Sequence, residues 1–268
     1  MSERDGYQPG VRSWVDTWQS DPAAAAAFYA GLFGWDIEET TAPDAERRYL
    51  MCRLRGRDVA GLGGPMAEGA APGWTVYVWV ESVDDAVAKV RDGGGKVLAG
   101  PFDSLEGGRI AVVADPAGAV FGVWEPGEHK GAQRVNEPSA WSISVLVTPD
   151  PERAKAFYAD VFGWQSEEFG PPGGGLSVFR LPDFFGGVPE QPVPRDVVAA
   201  MIDAHGDDQN PAWSIDFWVD DADTAAAKVA ELGGTVITPV YATPAGRQAV
   251  VADPAGAVFT VSKVGPAA

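Results

Sequence analysis

The chain is poor in the residues that most often advertise a chemistry. It has one cysteine, Cys52, in 268 residues. That excludes an internal disulfide and suits a reducing cytoplasm, where the chain is expected to reside. With no histidine near it in sequence, Cys52 reads as a core residue rather than a nucleophile. Histidine is equally scarce, with two in the whole chain. Cations are outnumbered, 20 Lys and Arg against 38 Asp and Glu, and the net charge of −18 repels phosphate backbones. Nucleic acid is therefore not an expected partner. No apolar run approaches the roughly 18 residues of a membrane span, and the opening MSERDGYQPG lacks the apolar stretch of a signal peptide, so no membrane partner is expected either. A 46% hydrophobic, 22% charged composition is that of a soluble globular protein.

What the chain does have, it has twice. Residues 109–121 read RIAVVADPAGAVF and residues 247–259 read RQAVVADPAGAVF, identical at twelve of thirteen positions. FYAGLFGW (Phe28 to Trp35) returns as FYADVFGW (Phe157 to Trp164), and PGWTVYVWVESVDDAVAKV (Pro72 to Val90) as PAWSIDFWVDDADTAAAKV (Pro211 to Val229). The order is the same in both halves, so the chain is a duplicated module of about 130 residues, each copy long enough for its own core. The expected division is a first module over 1–126, a polar linker over 127–138, and a second module over 139–268.

Each module divides again into two units of similar grammar. Asp21-Pro22 and Asp150-Pro151 are helix starts, the aspartate capping free amides and the proline having none to leave bare. Gly34 and Gly163 are the matching stops. Strands are expected at Arg47–Arg55 and Val59–Leu62, and in the second unit at Thr75–Val80. A helix from Ser82 to Arg91 follows, ended by Gly93-Gly94-Gly95. A hairpin closes the unit, with Asp115-Pro116-Ala117-Gly118 as a type I turn between Arg109–Ala114 and Ala119–Trp124. The fold class is thus α+β, with four βαβββ units. The copies differ mainly in one loop. Trp35 and Trp74 are 39 positions apart and Trp164 and Trp213 are 49, so module two carries ten extra residues, around PDFFGGVPEQPVPRD. A lid and a tolerated insertion both fit such a loop.

These motifs resemble the vicinal oxygen chelate superfamily, which includes glyoxalase I, bleomycin-resistance proteins and extradiol dioxygenases. The tandem layout with the linker EPGEHKGAQRVNEP resembles a two-module bacterial branch labelled glyoxalase-like or hydroxylase. The resemblance spans nearly the whole chain and implies two tandem modules with cupped half-barrel sheets. It also implies a divalent metal held by His, Glu or Gln on the strands lining each cup. Carried onto this sequence, those positions fall on Trp14, Thr75, Gly122 and near Ala60 in module one. In module two they fall on Ile143, Ser214, Thr260 and near Ala199. None is a good ligand, and the expectation is no metal and no cofactor. His129 is expected to be structural, and Asp203 with His205 is a weak candidate pair.

If Trp14 faces the cup, two-residue alternation brings Asp16 and Trp18 to the same face. The expected ligand-binding set is Trp14, Trp18, Thr75, Tyr77, Trp79 and Trp124 from module one, with Trp141, Ser214 and Trp218 from module two. Tryptophans that fill a core would look the same in sequence. Asp16 and Asp216, acids among tryptophans, are the candidate acid–base residues, with Arg109 or Arg247 as alternative partners for them. The expected function is metal-independent binding of a flat aromatic or hydrophobic small molecule, by a monomer or homodimer. The alternative is an enzyme that hydroxylates, isomerises or cyclises such a molecule through Asp16 or Asp216. A metal-dependent glyoxalase or dioxygenase is the third reading. Whether units pair within or across modules stays open, and pairing across would bring Asp16 and Asp216 into one pocket.

Overall fold

A computed structural model describes residues 3–41, 48–65, 71–104, 107–169, 174–186, 194–204, 210–243 and 245–265. The first unit runs β1 (Arg12–Trp18), α1 (Pro22–Phe33), β2 (Asp36–Glu39), β3 (Tyr49–Leu54) and β4 (Arg57–Gly63). The second runs β5 (Gly73–Trp79), α2 (Val83–Asp92), β6 (Lys96–Ser104), β7 (Gly108–Ala114) and β8 (Val120–Pro126). Module two repeats them as β9 (Trp141–Thr148), α3 (Pro151–Phe162), β10 (Gln165–Glu168), β11 (Leu176–Arg180) and β12 (Val197–Asp203). It ends with β13 (Ala212–Trp218), α4 (Ala222–Glu231), β14 (Thr235–Thr243), β15 (Gly246–Ala252) and β16 (Val258–Val264). The chain is therefore four βαβββ units in two modules of α+β class. Among the described residues no helix is long and apolar enough to cross a membrane.

Local chemistry explains the boundaries. Asp21 accepts hydrogen bonds from the amides of Ala23 and Ala24, and Gly34 ends α1 at φ 70°, a left-handed conformation that glycine adopts without strain. Asp150 and Gly163 do the same for α3. In the hairpin turn, Asp115 Oδ1 accepts from the amides of Ala117, Gly118 and Ala119. Asp253 Oδ1 accepts from Ala255 and Ala257. The short strands β2 and β10 and the nine-residue edge strands β6 and β14 were not individually placed by the sequence pattern, because most of their residues are exposed.

Units pair within a module. One sheet has the order β2-β3-β4-β1-β5-β8-β7-β6 and the other β10-β11-β12-β9-β13-β16-β15-β14. Both are open, curved eight-stranded sheets. Asp16 and Asp216 therefore stand in different sheets.

The helices tie the modules together. The first helix of each module seats against the second-unit strands of the other. Phe28 and Phe33 of α1 meet Phe259 and Phe217, while Phe157 and Phe162 of α3 meet Phe121. The buried Tyr29 hydroxyl donates to Asp253 Oδ2 at 2.9 Å, and Tyr158 donates to Asp115 Oδ2 at 3.1 Å. Trp74 and Trp213 each donate to those tyrosines at 3.0 Å. The DPAG aspartates thus shape a turn with one oxygen and dock the other module's helix with the second. Arg109 and Arg247 pair with Asp84 and Asp223 at the starts of α2 and α4, and not with Asp16, Asp216 or the turn.

Candidate functional site

Strand register defines the two cup faces, since paired residues point to the same side of a sheet. In module one Asp16 lies level with Gly61 and Thr75, Trp14 with Tyr77, Tyr77 with Gly122, and Trp18 with Gly63. The cup-facing β4 residue beside Asp16 is thus Gly61, one position from Ala60. The cup is filled by the module's own rings. A Cβ at Gly61 would overlap the Tyr49 hydroxyl, one at Gly63 the Trp18 indole, and one at Gly122 the Tyr77 ring. These glycines exist so that large aromatic side chains can lie flat across the neighbouring strand. Trp14 donates its indole N–H to Tyr49 at 2.9 Å, and Tyr49 approaches Asp16 Oδ2 at 3.4 Å.

The linker seals the other end of this cup. His129 wedges edge-on against Trp14, ring centroids 4.5 Å apart, and lies 5.2 Å from Trp124, with Nε2 3.6 Å from Asp58. Ala132 and Gln133 donate backbone bonds to Ser13 and Asp58. Asp16 is 4% exposed, and burial pushes its carboxyl up to about 8, against weaker opposing pulls from Tyr77, Tyr49 and Trp18. Among the described residues Asp16 Oδ1, the Tyr77 hydroxyl and the Trp18 indole N–H lie near one another without a well-formed hydrogen bond.

Module two builds the same cup from smaller residues. Where module one has Trp14, Asp16 and Trp18, β9 has Ile143, Val145 and Val147, all only half-buried. Val145 lies level with Ala200 and Ser214, and Val147 with Ile202, which is 44% exposed. Tyr241 is also exposed, at 38%, and shares the cup face with Gln248, its hydrogen-bond partner. The floor is polar. Asp216 lies level with Thr260 and accepts from Ser262 at 2.7 Å and Ser142 at 3.3 Å. Ser214 meets Thr260 at 3.4 Å. Burial pushes Asp216 up to about 7, with the two serine bonds opposing. Trp218 stands at the same face beside Asp216.

The sequence-derived site is thus divided. Trp14, Trp18, Thr75, Tyr77, Trp79, Trp124 and Asp16 belong to module one's cup, while Ser214, Asp216 and Trp218 belong to module two's. Trp141 belongs to neither cup. A β-bulge between Ile215 and Phe217 breaks the alternation opposite it. Trp141 is turned under the Arg12 guanidinium, 5.1 Å from its ring, and donates to Ser144. Tyr49 and the half-buried valines of β9 were missed. The signal available was the glycine alternation at 61 and 63 on one face of β4, which needs a large partner opposite. His205 lies outside the described residues, and so does part of the ten-residue insertion.

The inherited metal positions do not fit a divalent ion. Module one offers a single carboxyl among phenols and indoles. Module two offers a single carboxyl among serine and threonine hydroxyls. Among the described residues no three His, Cys, Asp or Glu side chains come together as a ligand set.

Cupped sheets of paired βαβββ units define a known class, and residues 13–123 match the family described as Glyoxalase/Bleomycin resistance protein/Dioxygenase superfamily. Residues 131–262 match a glyoxalase-like domain. The chain belongs to this superfamily. It is similar to a Mycobacterium tuberculosis protein provisionally named glyoxylase CFP32, 37% identical over 99% of both chains. It is also similar to the anthracycline biosynthesis protein DauV of Streptomyces sp. strain C5, 33% identical over 95% of this chain and 94% of that one. Among solved structures, the Mn(II)-bound glyoxalase of Novosphingobium aromaticivorans superposes with a TM-score of 0.63 at 20% identity, covering 97% of this chain and 84% of that one. The 2,3-dioxygenase LapB of Pseudomonas sp. KL28 gives 0.62 at 15%, covering 97% and 94%. At these identities the likeness is one of fold.

Proposed function

We propose that the chain binds a flat aromatic or hydrophobic small molecule, without a metal, in the cup of module two. One observation carries this reading. The face that module one fills with Trp14, Trp18, Tyr49 and Tyr77 is left half-open in module two, lined by Ile143, Val145 and Val147. An apolar wall over a few convergent polar groups is the usual make-up of a ligand site. Asp216, Ser214 and Thr260 supply the polar groups, and Trp218 a stacking face. The names of the Streptomyces relatives, tied to anthracycline biosynthesis, support a natural-product ligand.

A second reading is favoured by Asp216 itself. Its carboxyl, raised to about 7 by burial at the floor of the half-open face, would be the group that exchanges a proton with a bound molecule. The protein would then be an enzyme that modifies its ligand by hydroxylation, isomerisation or cyclisation. Asp16 is a weaker acid–base candidate, being walled in by Trp14, Tyr49 and Tyr77.

The test is titration with 1,4-dihydroxyanthraquinone, followed by tryptophan fluorescence. Val145→Trp places a large ring at the middle of the module-two face, level with Ala200 and Ser214, and should weaken binding by about tenfold or more. If Val145→Trp changes nothing while Trp14→Ala abolishes the response, the ligand sits in module one and the reading falls. Asp216→Asn separates binder from enzyme: a binder loses modest affinity and forms no product, whereas an enzyme keeps binding and loses turnover.

A further inference from the structure

At the rim of module one's cup, with which it shares Trp79, a cleft of about 480 Å³ opens where the N-terminal segment, the linker and the loop after β11 meet. That volume is within the roughly 300–1,000 Å³ of small-molecule sites. Its walls are aromatic: Tyr7, Trp79, Phe184 and Phe185 line it, and Phe185 is 68% exposed. Tyr7 and Trp79 stand 6.3 Å apart, tilted by 40°.

Its electrostatics run against the rest of the molecule. Arg4 and Lys130 line the cleft, and among the described residues Asp5 is its one acidic lining residue. Arg4 lies over the Tyr7 ring at 5.6 Å and donates to the Gly186 carbonyl, while Lys130 donates to the Gly127 carbonyl at 2.5 Å. Behind Tyr7, Arg12 is buried, donating Nε to the Val198 carbonyl. Its Nη1 and the Arg4 Nε have no hydrogen-bond partner among the described residues. Among the described residues none of these three cations pairs with a carboxylate. Arg48, Arg53, Arg55, Arg109, Arg134, Arg180 and Arg247 do, whereas Arg57, Arg91, Arg153, Lys89, Lys96 and Lys263 elsewhere on the described surface do not. In a chain of net charge −18, two cations without a carboxylate partner among the described residues line one aromatic cleft, with Arg12 buried behind its Tyr7 wall. Unpaired cations beside low-dielectric walls raise the local concentration of anions.

We propose that this cleft binds an anionic aromatic molecule, its ring between Tyr7, Trp79 and Phe184 and its anionic group towards Arg4 and Lys130. The site is separate from the module-two cup and does not rest on the reading of that cup.

Naphthalene-2-sulfonate, titrated into the full chain by calorimetry, tests this, with naphthalene-2-sulfonamide as the uncharged counterpart. The sulfonate should bind about tenfold tighter than the sulfonamide, and the double variant Arg4→Gln/Lys130→Gln should erase that difference. Both side chains are partly exposed, and a thermal melt checks that the variant is folded. Trp79→Ala should weaken both compounds, while Val145→Trp should leave sulfonate binding unchanged. Equal affinity for the two compounds, an unaltered preference in the double variant, or absence of saturable sulfonate binding would each overturn the proposal. Loss of sulfonate binding in Val145→Trp would move the probe to the cup and also overturn it.

Discussion

Replacing Asp16 by asparagine should remove a pH dependence of stability that the parent carries. In an unfolded chain an aspartate titrates near 4, but the buried Asp16 carboxyl titrates at about 8. Between these values the folded chain holds a proton that the unfolded chain has released. Stability therefore falls as pH rises through this window, by about 1.4 kcal/mol for each pH unit and each proton. The contribution is fully present below pH 4 and lost as pH rises through 8, a ceiling of roughly 5 kcal/mol. Asp216 acts in the same direction over a window that closes at about 7. The parent should thus lose stability with a slope of up to two protons between about pH 4 and 7, then one up to about 8. Asp16→Asn should keep a one-proton slope that ends near pH 7, and Asp216→Asn a one-proton slope that continues to about 8. Relative to the parent, Asp16→Asn gains stability steadily with pH. Urea unfolding midpoints at half-unit steps from about pH 5 to 9 measure this directly. Curves for the parent and Asp16→Asn that run parallel across the window would refute it, because the buried carboxyl would then hold no extra proton.

Two further outcomes follow from the cups. Gly122→Ala places a methyl group inside the Tyr77 ring and should destabilise the chain by about 1–3 kcal/mol in thermal unfolding. In the Tyr77→Ala background the same change should cost little, and a cost equal in both backgrounds would break the claimed packing. Purified protein should carry no stoichiometric zinc, iron, nickel or manganese, and chelator should leave its melting temperature unchanged. About one transition metal per module by elemental analysis would revive a metal-dependent reading.

The legible parts of this fold are those encoded locally. Asp21-Pro22, Gly34 and the Asp115–Gly118 turn act within four or five residues of themselves, so sequence alone places them. Which unit pairs with which was not legible, because the duplicated strands offer nearly the same edge to either partner. The seating of α1 on the other module was hidden for the same reason. Its partner Asp253 sits in a DPAG turn identical to the one at Asp115 in its own module. Trp141 misled because alternation holds only until a bulge, and a bulge is set by the partner strand.

The cups show where the missing information lay. Their divergence is a set of paired exchanges across strands rather than a scatter of single changes. Trp18 faces Gly63 in module one, and the corresponding Val147 faces Ile202 in module two. Tyr77 faces Gly122, and the corresponding Asp216 faces Thr260. In both exchanges the large ring has a glycine opposite and the smaller residue a partner with a Cβ, so the steric fit is kept pair by pair. The exceptional tryptophans of module one, taken singly, point to a ligand. Taken with Gly63 opposite Trp18 and Gly122 opposite Tyr77, they pack as part of a ring cluster that fills their own cup. On the proposed reading, the cup that admits a molecule is then the one with the less conspicuous sequence, whose floor presents Asp216 among hydroxyls.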